Sequence, residues 1–98
     1  MPVTISLEGK TALVTGGSQG IGASIARTLA QAGAHVAVAA RTLEKAREVA
    51  DAIGASGGSA EAVSLDVAEP ISVTAAFRTL LESRGRIDIV VNNAGITA

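Results

Sequence analysis

Thr15-Gly16-Gly17-Ser18-Gln19-Gly20-Ile21-Gly22 is the stretch on which the fold turns. Ahead of it, Lys10-Thr11-Ala12-Leu13-Val14-Thr15 is a short apolar run with a β-branched end, which reads as a buried strand entering a tight turn. Behind it the period changes. Ile21, Ile25, Leu29 and Ala32 recur at helical steps, and Gly33 supplies a C-terminal stop. A glycine-rich loop can merely turn the chain, but between a strand and a helix it can also hold an anion. The first backbone N–H groups of the helix point outward without partners, and the helix dipole favours an anion there. Gly16 permits the sharp turn, Gly20 lets a pyrophosphate approach the backbone, and Gly22 allows close packing on the sheet. Ser18 can donate a hydroxyl hydrogen bond to a phosphate or ribose. The spacing is Gly-x-x-x-Gly-x-Gly, and no Lys-Ser or Lys-Thr closes it as in a P-loop.

The alternation continues outward. His35 to Ala40 is a second apolar run, closed by Arg41; Thr42 is placed to cap a helix whose face is Leu43, Ala46, Ala50 and Ile53, ending at Gly54. Ala60 to Leu65 is a third strand, ending at Asp66. Pro70 suits the first turn of a third helix with Val73, Phe77, Leu80 and Leu81 on its apolar face, stopped near Gly85. Ile87 to Val91 is a fourth strand, followed by Asn92-Asn93-Ala94-Gly95. Continuous apolar strands joined by helices predict a Rossmann-like, doubly wound parallel α/β sheet in the order 3-2-1-4.

Composition narrows the function. In 98 residues the net charge is −1, aromatic residues make up 1%, and Cys is absent. No basic stripe or stacking platform is left for nucleic acid, and no polybasic cluster for a lipid surface. Disulfides, thiolate zinc sites and cysteine nucleophiles are excluded, and a lone His cannot build a metal cluster. No apolar run reaches the length of a membrane span, and the first residues lack a signal-peptide pattern, so the expectation is a soluble cytoplasmic chain. A single domain is expected, burying roughly 60–65% of the surface its unfolded chain exposes.

Thr15 to Gly22, taken with Asn92-Asn93-Ala94-Gly95, resembles the short-chain dehydrogenase/reductase family, whose signatures are Thr-Gly-x-x-x-Gly-x-Gly and Asn-Asn-Ala-Gly. Leu7-Glu8-Gly9-Lys10 and Leu65-Asp66-Val67 also match, so the similarity runs from about Leu7 to Ile96. The resemblance implies an NAD(P)-binding half with Gly16, Ser18, Gln19, Gly20, Ile21 and Gly22 along the cofactor. It implies that Asp66 accepts from the adenine amino group while the Val67 N–H meets a ring nitrogen. Asn93, Ala94 and Gly95 would lie along the ribose and pyrophosphate, with Asn92 mainly structural; their other role is structural, because amide side chains can bridge neighbouring strand-end backbones. After the second strand, Ala40 leaves empty the place of an acidic ribose ligand, and Arg41 offers a fork for a 2′-phosphate. That is the pattern of members preferring NADP over NAD.

Each position has a plainer reading. Arg41 would otherwise be a solvated charge or a partner of Glu44, and Asp66 a cap of the following turn. His35 reads as a partly exposed strand-end residue without an evident partner. Phe77, Leu80 and Leu81 read as core, and the charges of the second helix as a solvated face.

Family members carry their Tyr, Lys, Ser and further Asn beyond the region matched. This sequence has no Tyr, and its only lysines are Lys10 and Lys45, so no catalytic residue is carried over. The expectation is a partial domain over 1–98 of a short-chain oxidoreductase acting on a carbonyl or secondary alcohol, inactive alone. The general look is similar to 3-oxoacyl-carrier-protein reductases and polyol dehydrogenases, and the resemblance implies a homo-oligomer for the full-length form. Two other readings stand beside it. One is a stand-alone nucleotide-binding or interaction module pairing through its fourth strand. The other is another Rossmann enzyme, such as an extended-type epimerase, whose glycine spacing usually differs.

Overall fold

In the computed structural model, residues 6–16 and 20–93 are described. Seven elements alternate along the chain: β1 (Thr11–Thr15), α1 (Gly20–Gln31), β2 (His35–Ala40), α2 (Leu43–Ala55), β3 (Ser59–Ser64), α3 (Pro70–Arg84) and β4 (Ile89–Asn92). The strands are all parallel and lie in the order β3-β2-β1-β4. The doubly wound topology expected from the strand–helix alternation is therefore present.

The two central strands are buried along their whole length, which is why they read as continuous apolar runs. Their alternate residues divide the core. Ala12, Val14, Val36 and Val38 meet α1 and α2 on one face, whereas Leu13, Ala37 and Ala39 meet Leu80 and Ala76 of α3 on the other. Strand boundaries move by a residue or two from those expected. The third strand begins at Ser59 and ends at Ser64, although the Leu65 N–H still bonds the Ala40 carbonyl at 2.9 Å. Ile87 and Asp88 lead into β4 and do not belong to it.

The helices correct the sequence reading in more detail. The buried face of α1 is Gly22, Ala23, Ala26 and Ala30, while Ile21 is 70% exposed. Ile25 and Leu29 sit half-buried on its flank. A helix lying this close to a sheet has room only for small side chains, so the bulky residues mark the edge of the contact and not its centre. On α3, Leu80 is fully buried but Leu81 is 47% exposed; one step along a helix turns a side chain by about 100°. Thr42 occupies the N-cap of α2, yet its hydroxyl makes no capping bond. That helix continues through Gly54 to Ala55, and the chain reverses at Gly57, whose φ is +91°. Pro70 opens α3 and Gly85, with φ +81°, closes it.

Candidate functional site

The carboxyl ends of β1, β2 and β4 and the start of α1 converge on one side of the sheet. At the centre, Gly16 (φ +65°) leaves β1 in a conformation that L side chains rarely adopt. Thr15 pairs in register with Asn92. The Thr15 hydroxyl accepts the Asn93 N–H at 3.0 Å, and its proton faces the Asn92 Oδ1 at 3.0 Å and the Val91 carbonyl at 3.3 Å. The Asn93 amide nitrogen donates to the Gly16 carbonyl at 3.4 Å. Asn93 thus ties the end of β4 to the base of the glycine loop, and Thr15 is the hinge pin of the arrangement.

Gly22 and Gly20 differ in kind. A Cβ at Gly22 would collide with the Gly16 carbonyl oxygen and stand 2.7 Å from Asn93 Nδ2. Only hydrogen fits between α1 and the loop base. At Gly20 (φ +58°) the Cβ position is open, with nothing within 4 Å among the described residues. One glycine is required by packing within the protein, whereas the other leaves backbone open to approach at the start of the helix. Ser18, Gln19, Ala94 and Gly95, also expected at this site, lie outside the described residues.

A second group forms where β2 and β3 end. Ala40 is buried, and Arg41 beyond it is 81% exposed, its Nε 3.9 Å from Asp66 Oδ2. Arg41 therefore faces Asp66, not Glu44. At that distance and exposure the attraction is worth about 0–1 kcal/mol, too little to hold the guanidinium against a phosphate. Asp66 serves its own turn as well. Its Oδ1 accepts the Ala68 N–H at 3.0 Å, and its backbone N–H donates to Ser72 Oγ at 2.9 Å. The capping reading of Asp66 is therefore real, yet its other oxygen stays directed at Arg41. Val67 is 43% exposed beside it. Ser72, in the first turn of α3, escapes the sequence reading; a serine just after a helix-opening proline is the signal that marks it.

At the opposite, amino end of the sheet a further polar set emerges. Asp88 Oδ2 accepts the Thr11 N–H at 2.8 Å, and the Thr11 carbonyl accepts the Asp88 N–H at 2.8 Å. Arg86 grips the same carboxylate through Nε and Nη2. That hydrogen-bonded guanidinium, and then the Thr11 N–H, hold the Asp88 carboxyl below the usual aspartate range. His35 is likewise not the partnerless, partly exposed residue expected. It is 8% exposed, with Ser59 Oγ 2.6 Å from Nδ1 and Glu61 Oε2 3.0 Å from Nε2. The parallel register sets His35 beside Ser59, a pairing that no local spacing reveals.

With this geometry in place, comparison with known proteins is decisive at the level of class. The short chain dehydrogenase family model matches residues 10–98. The chain belongs to that family. Among curated relatives, it is 43% identical over 93 residues to a 3-oxoacyl-[acyl-carrier-protein] reductase, FabG, of Salmonella typhimurium, covering 95% of this chain and 37% of the relative. It is 48% identical over 90 residues to the oxidoreductase UcpA of Escherichia coli K12, covering 92% of this chain and 34% of that one. A crystal structure of a metagenomic short-chain oxidoreductase in complex with NADP superposes with a TM-score of 0.88 at 46% identity, over 92% of this chain and 41% of that one. A short-chain type dehydrogenase/reductase from Mycobacterium marinum gives a TM-score of 0.91 at 44% identity, covering 97% of this chain and 38% of that one. The chain thus spans 37% of the length of the first of these curated relatives. Among the described residues no helix is long and apolar enough to cross a membrane.

Proposed function

We propose that this chain is the NADP(H)-binding portion of a short-chain oxidoreductase. The parent reaction moves hydride between a nicotinamide cofactor and a carbonyl or secondary alcohol, with substrates of the kind taken by 3-oxoacyl-carrier-protein reductases or polyol dehydrogenases. The observation that carries the reading is the pairing of an open glycine backbone at the start of α1 with an exposed, weakly held arginine past the buried Ala40.

The described residues fit such a dinucleotide. Gly20 leaves room for a pyrophosphate against backbone N–H groups, in the favourable field of the helix start. The Nη nitrogens of Arg41 have no partner among the described residues and suit a 2′-phosphate. Asp66 stands half-buried and Val67 exposed where an adenine ring would be met, and Asn93 holds the loop in register. Gly16, Ser18, Gln19, Ile21, Gly22, Ala94 and Gly95 complete the proposed contacts. Bound there, the cofactor supplies the hydride.

Hydride transfer also needs a proton donor opposite the nicotinamide. The sequence holds no Tyr, and neither lysine is placed to serve. Lys10 precedes β1 at the amino end of the sheet, and Lys45 lies on α2. The 98-residue chain is therefore expected to bind dinucleotide without turning over a carbonyl substrate.

Calorimetric titration with NADPH and NADH tests the reading. Saturable binding that favours NADPH is expected, with Arg41→Ala weakening NADPH by about ten- to a hundredfold, the value of a charge-assisted contact. NADH affinity should be nearly unchanged by the same substitution. Equal binding of both cofactors, or equal losses in the variant, would remove Arg41 as the reader of the 2′-phosphate.

A further inference from the structure

The amino end of the sheet holds an arrangement that dinucleotide binding does not use. His35 and Ser59 are register partners on β2 and β3, and Glu61 lies two residues along on the same face as Ser59. With Glu61 accepting at Nε2, that ring nitrogen carries the hydrogen, and Nδ1 is left to accept the Ser59 hydroxyl at 2.6 Å. Hydroxyl, imidazole and carboxylate therefore form one line of hydrogen bonds. The base is buried, whereas Ser59 is exposed. Nucleophile, base and orienting carboxylate in this relation are what an activated serine needs.

Ser59 and His35 also line a cavity of about 220 Å³ that Lys10, Arg84 and Arg86 share. Arg86 is committed to Asp88. Among the described residues, Lys10 and Arg84 have no carboxylate within ion-pair distance. Lys10 and Arg84 thus share the lining with the hydroxyl as unmatched cations, whereas the Asp88 and Glu61 carboxylates are engaged by Arg86 and His35.

We propose that Ser59 is a nucleophilic serine that takes an acyl group from small activated esters carrying an anionic group. Ser59 Oγ forms the new bond to the ester carbonyl carbon while His35 Nδ1 receives its proton. The bond to the leaving phenoxide breaks, and the imidazolium passes that proton to it, giving the phenol. Water, deprotonated by the same nitrogen, then attacks the acyl carbon; the acyl–Oγ bond breaks, the acid leaves, and Nδ1 returns the proton to Ser59 Oγ. Glu61 is a positioning residue that holds the imidazole in the required tautomer. General-base assistance contributes about 10²- to 10⁴-fold, enough for phenyl esters with good leaving groups but not for amides. The inference is independent of the dinucleotide reading, since the two sites occupy opposite ends of the sheet.

The test uses the whole 98-residue chain with 4-nitrophenyl acetate and its 3-carboxylate analogue, following phenolate release and mapping acetyl groups by peptide mass spectrometry. Acetyl is expected on Ser59, with release faster for the carboxylated ester at low salt, a preference that Arg84→Ala diminishes. Ser59→Ala should abolish that modification. Glu61→Gln should slow it about tenfold or more with the circular dichroism spectrum unchanged, and Glu61→Asp should recover part of the rate. Acetyl found on lysines or the terminal amine while Ser59 stays unmodified would overturn the proposal. A rate indifferent to Glu61→Gln would overturn the role of the His35–Glu61 pair, and equal rates for the two esters would overturn the anionic class.

Discussion

At the scale of single residues, Gly22 and Asp88 illustrate two ways in which a small group holds distant parts of the chain together. Gly22 allows α1 to touch the base of the glycine loop, where a Cβ would meet the Gly16 carbonyl. Alanine is the better helix former by about 1 kcal/mol. Here the obstacle is backbone, which cannot swing aside, and overpacking of that kind costs about 1–3 kcal/mol. Gly22→Ala should therefore lower the midpoint of urea unfolding, where a helix-propensity argument alone would raise it. Asp88 bonds the Thr11 N–H and Arg86 together, and its carboxyl titrates below the ordinary aspartate range, near 4. A carboxyl depressed on folding contributes stability that is fully present above its unfolded pKa and is lost as pH falls through the folded one. Stability should thus decline below about pH 4, and Asp88→Asn should flatten that acid limb in pH-dependent urea titrations while lowering stability at neutral pH.

At the scale of elements, burial discriminates between residues that the sequence leaves equivalent. Leu80 and Leu81 are adjacent and identical, but Leu80 is fully buried and Leu81 is 47% exposed. Leu80→Ala should cost about 2–5 kcal/mol and loosen α3 from the sheet, detectable as faster amide exchange along the helix. Leu81→Ala should cost less than half as much. β4 is the outer strand of the described sheet beyond β1, and Val90 on it is 52% exposed. Such an edge presents unpaired backbone groups and apolar side chains together. Sedimentation at rising concentration should show association of the 98-residue chain, and Val90→Lys should reduce it. The elements are legible in the sequence because period and punctuation agree: Gly33, Pro70 and Gly85 stand where helices stop or start. The contact face of α1 is not. Hydrophobicity points to Ile21, Ile25 and Leu29, but close approach to a sheet selects Gly22, Ala23, Ala26 and Ala30.

At the scale of the whole molecule, the two ends of the sheet have different chemistries. The carboxyl end carries the glycine loop, Arg41 and Asp66, and the amino end carries His35, Ser59, Glu61 and the Arg86–Asp88 pair. Much of the first end is legible in the sequence, because strand–loop–helix order places loops and strand termini on one side of a parallel sheet without further information. The second end is not, because it depends on which residues of β2 and β3 are register partners. Periodicity, glycine spacing and the right-handedness of crossovers suffice for the βα alternation and the strand order, and the family resemblance is carried by two motifs, Thr15 to Gly22 and Asn92-Asn93-Ala94-Gly95, so these are written into the chain itself. Folding in three dimensions was needed to establish that Arg41 faces Asp66, that Asn93 bonds the Gly16 carbonyl, and that His35 lies between Ser59 and Glu61. Those are contacts between residues well separated along the chain, set to fractions of an ångström by strand register and close packing, and local pattern carries no record of them.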